Sequence, residues 1–305
     1  MLVALCSLKG SPGVTTVAVA LATQWPRPEL TYRLVAEVDP SGGDLAMRFG
    51  VPATPGLVSL AAVARRTGDP TAVWEHTRPL PDGVRMLLAP PGGVHARAAL
   101  HTMAAGAGRS MLRELSRDPR VVVLADCGRI DPGSPAEAVA RQSDTLLVLT
   151  RTHAEDLAHA AARLTELAGW TPRPGLLLVG EGYPTADVER GLGVPAVGRI
   201  PHDPAVGAVP GGRRRRRPGA LDRQAALLAR SLVTGAPTST LPSPVGGLFT
   251  VPGGPSQQVR LPGGEVVRYP HPPLQHLRPV PMPPARDVGS ARNGHPLRVV
   301  GRDSA

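Results

Sequence analysis

At 305 residues and 42% hydrophobic composition, the chain is long enough to bury the core of one large α/β domain or two small ones. Aromatic residues make up only 3%, which excludes an extended base-stacking surface for single-stranded nucleic acid and leaves Leu, Val and Ala to build the core. The formal charge of +10 belongs wholly to the C-terminal part: residues 1–212 hold 20 basic and 20 acidic side chains, and residues 213–305 hold 14 arginines against 4 acidic groups.

The apolar run at residues 2–8 predicts a buried strand, followed by a glycine-containing loop at 10–13 and an apolar helix at 15–25 that Pro26 ends. A second strand is expected at 33–38, running into Asp39-Pro40, then a helix at 57–66 and a third strand at 84–89. Helical periodicity from about 94 to 117 leads into 121–125, a β-branched and leucine run that suits a strand buried on both faces of a parallel sheet. Similar runs at 145–149, 176–179 and 196–199 are separated by helical patterns at 154–168 and 186–192, and a last helix is expected at 220–233. Strands alternating with helices predict an α/β fold: a doubly wound, mostly parallel sheet with its ligand at the carboxyl ends of the strands.

Beyond residue 235 the composition changes. Fourteen prolines and 9 glycines among the 70 residues 236–305 leave too little apolar surface to offset the entropy of ordering. The chain is therefore expected to divide into a folded domain at 1–235 and a Pro/Gly-rich, basic, disordered tail at 236–305. Two Pro-Gly-Gly turns, at 252–254 and 262–264, flank 257–261 and predict a small hairpin. The chain opens on an apolar run without a basic leader, and no apolar stretch approaches the ~20 residues of a membrane span. With only Cys6 and Cys127, both in strand-like runs, this points to a cytoplasmic protein with reduced thiols.

Of the 34 Lys and Arg residues 33 are arginine, and the single lysine, Lys9, falls in the loop after the first strand. The segment Lys9-Gly10-Ser11-Pro12-Gly13-Val14-Thr15-Thr16 lies between strand and helix, where backbone N–H groups and a helix N-terminus hold anions such as phosphate. It resembles the deviant Walker A loop, K-G-G-x-G-K-[ST]-[ST], of the ParA/MinD-type P-loop ATPases. The resemblance implies that Lys9 reaches across a homodimer to the partner's nucleotide and that Gly10, Ser11 and Gly13 cradle phosphate. It also implies that Thr15 ligates Mg²⁺ and Thr16 contacts phosphate. Val14 departs from the pattern, standing where the ordinary P-loop lysine would hold the β and γ phosphates of ATP. Two outcomes follow: binding with weak or degenerate turnover, or activity in which another cation, an arginine or the partner's Lys9, takes over.

Three further segments carry the same resemblance, which covers roughly residues 1–233. Glu37-Val38-Asp39-Pro40-Ser41-Gly42-Gly43 is similar to the family's D-x-D-P-Q-G segment, so Asp39 would orient the attacking water, with Glu37 replacing the first Asp. Residues 121–126 followed by Cys127-Gly128 resemble Walker B, which implies that Asp126, with Thr15 and Asp39, serves Mg²⁺, partly through water. Gly198-Arg199-Ile200-Pro201-His202-Asp203 is similar to the late G-x-I-P-x-D strand end. Gly180-Glu181 stands where the family offers an Asn for adenine, so the base is open, and the membrane-targeting helix of MinD-like members is absent, so no direct membrane insertion is expected.

The run Arg213, Arg214, Arg215, Arg216 and Arg217 is either a solvated loop or a contact for non-specific DNA or another polyanion, with counterion release as the driving force. The resemblance as a whole implies a nucleotide-binding positioning or partitioning factor that uses ATP and Mg²⁺, acting in chromosome partitioning or in pilus, flagellar or septum placement with a protein partner that the sequence does not name. The alternative is a catalytically inactive pseudo-ATPase scaffold that recruits DNA or proteins through its arginine run and tail.

Overall fold

The computed structural model describes residues 1–10, 12–26, 31–80, 82–105, 111–202 and 219–234, together with the backbone of 257–260 and 266–269. Its strands in chain order are β1 (Leu2–Ser7), β2 (Tyr32–Glu37), β3 (Thr77–Pro79), β4 (Val84–Leu87), β5 (Val121–Arg129), β6 (Thr145–Arg151), β7 (Pro174–Val179) and β8 (Ala196–Ile200). These eight form one sheet in the order β3-β4-β2-β5-β1-β6-β7-β8, in which every pairing is parallel except that of β3 with β4. The doubly wound, mostly parallel sheet expected from the sequence is therefore the fold. The edge strand β3 carries no such signal: it is three residues long and ends in proline, a residue that sheets tolerate at their edges.

The helices are α1 (Val14–Gln24), α2 (Leu45–Phe49), α3 (Leu57–Ala64), α4 (Gly93–Ala105), α5 (Met111–Leu115), α6 (Glu137–Ala140), α7 (Ala154–Ala168), α8 (Thr185–Leu192) and α9 (Ala220–Thr234), with a 3-10 helix at Pro70–His76. The single helix expected over 94–117 is instead two, α4 and α5; the residues between them, 106–110, lie outside the described part. Strand β5 runs on past residue 125, because its continuation stays paired with β1 as far as the match of Ser7 with Arg129.

Strand alternation sorts the core into two faces. Leu2, Ala4 and Cys6 of β1 and Val121, Val123 and Ala125 of β5 face α3, α4, α5 and α6, whereas Val3 and Leu5 of β1 and Val122 and Leu124 of β5 face α1, α2 and α9. Because both faces are covered, the central strands carry uninterrupted apolar runs, each buried leucine contributing about 1.5–3 kcal/mol. Helix α7 docks by Leu157, Ala160, Leu164 and Leu167, the three-and-four spacing of an amphipathic helix. Among the described residues no helix is long and apolar enough to cross a membrane.

The expected tail at 236–305 lies outside the described residues, save for the backbone of β9 (Gln257–Arg260) and β10 (Val266–Tyr269). These pair antiparallel, as the hairpin expected around the second Pro-Gly-Gly turn requires. Arg213, Arg214, Arg215, Arg216 and Arg217 lie outside the described residues, as does Ser11.

Candidate functional site

The carboxyl ends of β1, β2, β5, β7 and β8 open into one cleft of about 810 Å³, lined by Gly10, Gly13, Thr15, Thr16, Asp39 and Arg48 among others. Its floor is the turn from β1 into α1. Gly13 occupies the N-cap position with φ of 97°, a left-handed conformation that glycine adopts without steric cost, and no side chain caps the helix. Among the described residues the first N–H groups of α1 have no side-chain cap, and such groups at a helix N-terminus are suited to hold an anion.

Two carboxylates and a hydroxyl meet beside this turn. Asp126, on the extension of β5, is 1% exposed; it accepts from the Thr15 hydroxyl and from the Gly128 N–H at 3.1 Å. Asp39, just past β2, accepts from the Ser41 N–H at 2.7 Å, and its carboxylate lies so close to Gly128 that a side chain there would overlap it. Gly128, at φ of 58°, is the residue that lets the ends of β2 and β5 approach. Burial pushes the Asp126 carboxyl up to about 6, opposed by the Thr15 and Gly128 hydrogen bonds and assisted by the Asp39 charge. Asp39 is raised for the same first reason.

Glu37, the substituted first acid of the Asp39 segment, braces the site from below. It is 1% exposed, and its Oε1 accepts from the N–H groups of Asp44 and Leu45 at 2.8 and 2.9 Å while Oε2 accepts from Ala89 at 3.0 Å. One carboxylate thus ties the end of β2 to the start of α2 and to Ala89, two residues past β4. Burial pushes Glu37 up to about 7 against these three bonds. Glu37 and Asp126 both hold their protons to higher pH in the folded protein than in the unfolded chain, where carboxyls titrate near 4. Their contribution to stability is therefore largest near pH 4 and is lost as pH rises to about 7. Urea unfolding of the metal-free protein is expected to show a midpoint that falls between pH 5 and about 7.5, with Glu37→Gln flattening the slope; a wild-type midpoint level with pH would contradict the assigned shifts.

Of the residues singled out in the sequence, Gly10, Gly13, Val14, Thr15, Thr16 and Asp39 line the cleft, with Asp126 directly behind Thr15. Lys9 sits half-buried on the bend after β1 and is not part of the lining of its own chain's cleft. Val14 is 6% exposed and packs into the apolar cluster that contains Leu45 and Ala46. Pro201 and His202 of the late strand end close the far wall. Sequence reasoning missed Arg48, whose Nη1 donates to the Thr16 Oγ1 at 3.0 Å. In a chain with so many arginines, its i,i+4 spacing from Asp44 was the only local signal, and that marks a helix surface rather than a site.

Among the described residues no group of three or more His, Cys, Asp or Glu forms a metal cage. Magnesium does not need one: it binds through one or two carboxylates, keeps several waters and takes the rest of its shell from substrate phosphates. A hydroxyl and two carboxylates at an open helix N-terminus fit that pattern, with Thr15, Asp39 and Asp126 as the residues that would serve it.

No family model and no curated protein sequence matches the chain. Its structure is similar to that of a ParA family ATPase from Chlorobium tepidum, with a TM-score of 0.61 and 15% identity over 75% of this chain and 98% of the other. It is also similar to the septum site-determining protein MinD of Pyrococcus horikoshii in complex with Mg-ADP, with a TM-score of 0.59 and 17% identity over 78% and 98% of the two chains. A third likeness is to cobyrinic acid a,c-diamide synthase of Mycobacterium smegmatis with a bound ATP analogue and magnesium, at 0.54 and 19% over 80% and 98%. At these identities the likeness shows the fold, which is that of the ParA/MinD-like P-loop NTPases.

Proposed function

Starting from the ParA/MinD-like P-loop NTPase fold, we propose that this chain is a Mg²⁺-dependent ATP-binding positioning or partitioning factor with weak turnover. The observation that carries the proposal is the meeting of Thr15, Asp126 and Asp39 at the open N-terminus of α1. The loop N–H groups of α1 would hold phosphate, and Thr16 would add a hydroxyl contact. Magnesium, when bound, would screen the phosphate charge. Asp39, half-buried at the mouth, would orient a water. The Mg-ADP bound to the MinD structure and the ATP analogue with magnesium in the synthase support this ligand choice.

Lys9 is proposed to act in trans, reaching the nucleotide of a second copy. Its position away from its own cleft's lining is compatible with that role. Calorimetry of Mg·ATP binding, with light scattering on the same sample, is the deciding experiment. Wild-type protein should bind ATP and dimerise, and Lys9→Ala should bind ATP as a monomer. A Lys9→Ala protein that dimerises as the wild type does would remove Lys9 from the interface, and absence of wild-type binding at millimolar nucleotide would remove the nucleotide itself.

The pseudo-ATPase scaffold is the second reading, and the burial of Val14 in place of the phosphate-binding lysine is what favours it. Binding with no phosphate release would separate it from the first. Arg213, Arg214, Arg215, Arg216 and Arg217 are proposed to contact non-specific DNA or another polyanion. Replacing all five with Gln should weaken duplex DNA retention and flatten its salt dependence. Retention unchanged at every salt concentration would place any polyanion site elsewhere. A cytoplasmic location is proposed too, in keeping with the two free, buried thiols Cys6 and Cys127.

A further inference from the structure

A valine in the phosphate loop removes a positive charge, and the loop's one cation, Lys9, is not among the residues lining its own chain's cleft. Val14 belongs to the same apolar cluster as Leu45 and Ala46, the first two residues of α2. Three positions after Leu45, Arg48 reaches the first turn of α1, with its side chain 33% exposed, lining the cleft and donating to Thr16. We propose that Arg48 delivers from α2 the phosphate-facing charge that the loop lacks at Val14. The inference rests on the nucleotide-binding reading above.

Three observations favour Arg48. Its helix is fixed in place, since the N–H groups of Asp44 and Leu45 are bound by the buried Glu37 carboxylate. Among the described residues its guanidinium donates to Thr16, lies 3.8 Å from Asp44 in an exposed pair that contributes little, and places its charge near the buried Asp126 carboxylate. A guanidinium has five N–H donors in a planar fork, so donors are left for phosphate oxygens next to the Thr16 hydroxyl. Among the described residues the other arginine lining the cleft is Arg129, which directs Nε and Nη2 to one Asp131 carboxylate oxygen at 3.1 and 2.6 Å and places its charge near Asp39 rather than over Thr16. An arginine supplied from a helix about 30 residues downstream leaves the backbone cradle intact while the loop position itself becomes apolar.

The test is calorimetry of Mg·ATP and of adenosine on the full chain, comparing wild type, Arg48→Met, Arg48→Lys and the double variant Arg48→Met with Val14→Lys. Arg48→Met is expected to lower ATP affinity about 10- to 100-fold, the worth of a hydrogen bond to a charged group, and to leave adenosine affinity unchanged. Arg48→Lys should keep part of the ATP affinity, and Val14→Lys should restore it in the Arg48→Met background, which a merely structural role for Arg48 would not allow. Wild-type-like ATP binding by Arg48→Met, or equal loss of ATP and adenosine, overturns the assignment. Should Arg48→Met fail to fold, Arg48→Gln read by the same ATP-to-adenosine ratio decides the matter. Wild-type protein that binds no nucleotide overturns the nucleotide reading and this assignment with it, whereas wild-type binding that survives loss of Arg48 overturns the assignment alone.

Discussion

Asp126→Asn is expected to lower Mg²⁺-dependent nucleotide affinity by about 10- to 100-fold, the usual cost of losing a group that orients a metal's immediate ligands. It should at the same time leave the metal-free protein as stable as the wild type, or more so. The two effects have one origin. Asp126 is 1% exposed, and its burial disfavours the charged carboxylate that a cation requires. Asparagine has nearly the same shape, keeps an oxygen to accept the Gly128 N–H, and carries no charge to desolvate. Calorimetry with and without magnesium, paired with urea unfolding in chelator, measures both. A variant with unchanged magnesium dependence would show that the buried carboxylate is a structural relic of the fold.

Leu124→Ala is expected to cost about 2–5 kcal/mol, the transfer free energy of the lost carbons plus that of the cavity left behind. Leu124 is fully buried on β5, whose two neighbours in the sheet are β2 and β1, and it belongs to the face covered by α1, α2 and α9. Its neighbours are held by the parallel ladder on both sides, so the cavity has little room to collapse. Against a typical total of about 5–15 kcal/mol, such a loss threatens the folded state itself. Met47→Ala, at a side chain 82% exposed on α2, should stay within about 0.5 kcal/mol. A shift in urea midpoint with an unchanged m-value for Leu124→Ala, and none for Met47→Ala, would establish the contrast. Equal effects would mean that β5 is not central to stability.

Periodicity and punctuation located every strand of the sheet except β3 and every long helix, because those signals reside in neighbouring residues. Alternation and uninterrupted apolar runs report burial on one face or two, and glycine before a helix reports an open N-terminus. Arg213, Arg214, Arg215, Arg216 and Arg217 are as visible in the sequence as any motif, but a charge run by itself says only that water or a polyanion faces it.

The sequence by itself therefore determined the α/β class, the parallel sheet and the glycine loop that opens onto the cleft, each a property of contiguous residues. The resemblance already implied that Thr15, Asp39 and Asp126 share a site; only the tertiary structure decided what surrounds them: Asp39 against Gly128, Glu37 holding both α2 and Ala89, and Arg48 on Thr16. The reason is the strand order. Placing β5 between β1 and β2 brings residues 15, 39 and 126 together, and no local pattern encodes that order; it follows from how all the apolar faces are buried at once.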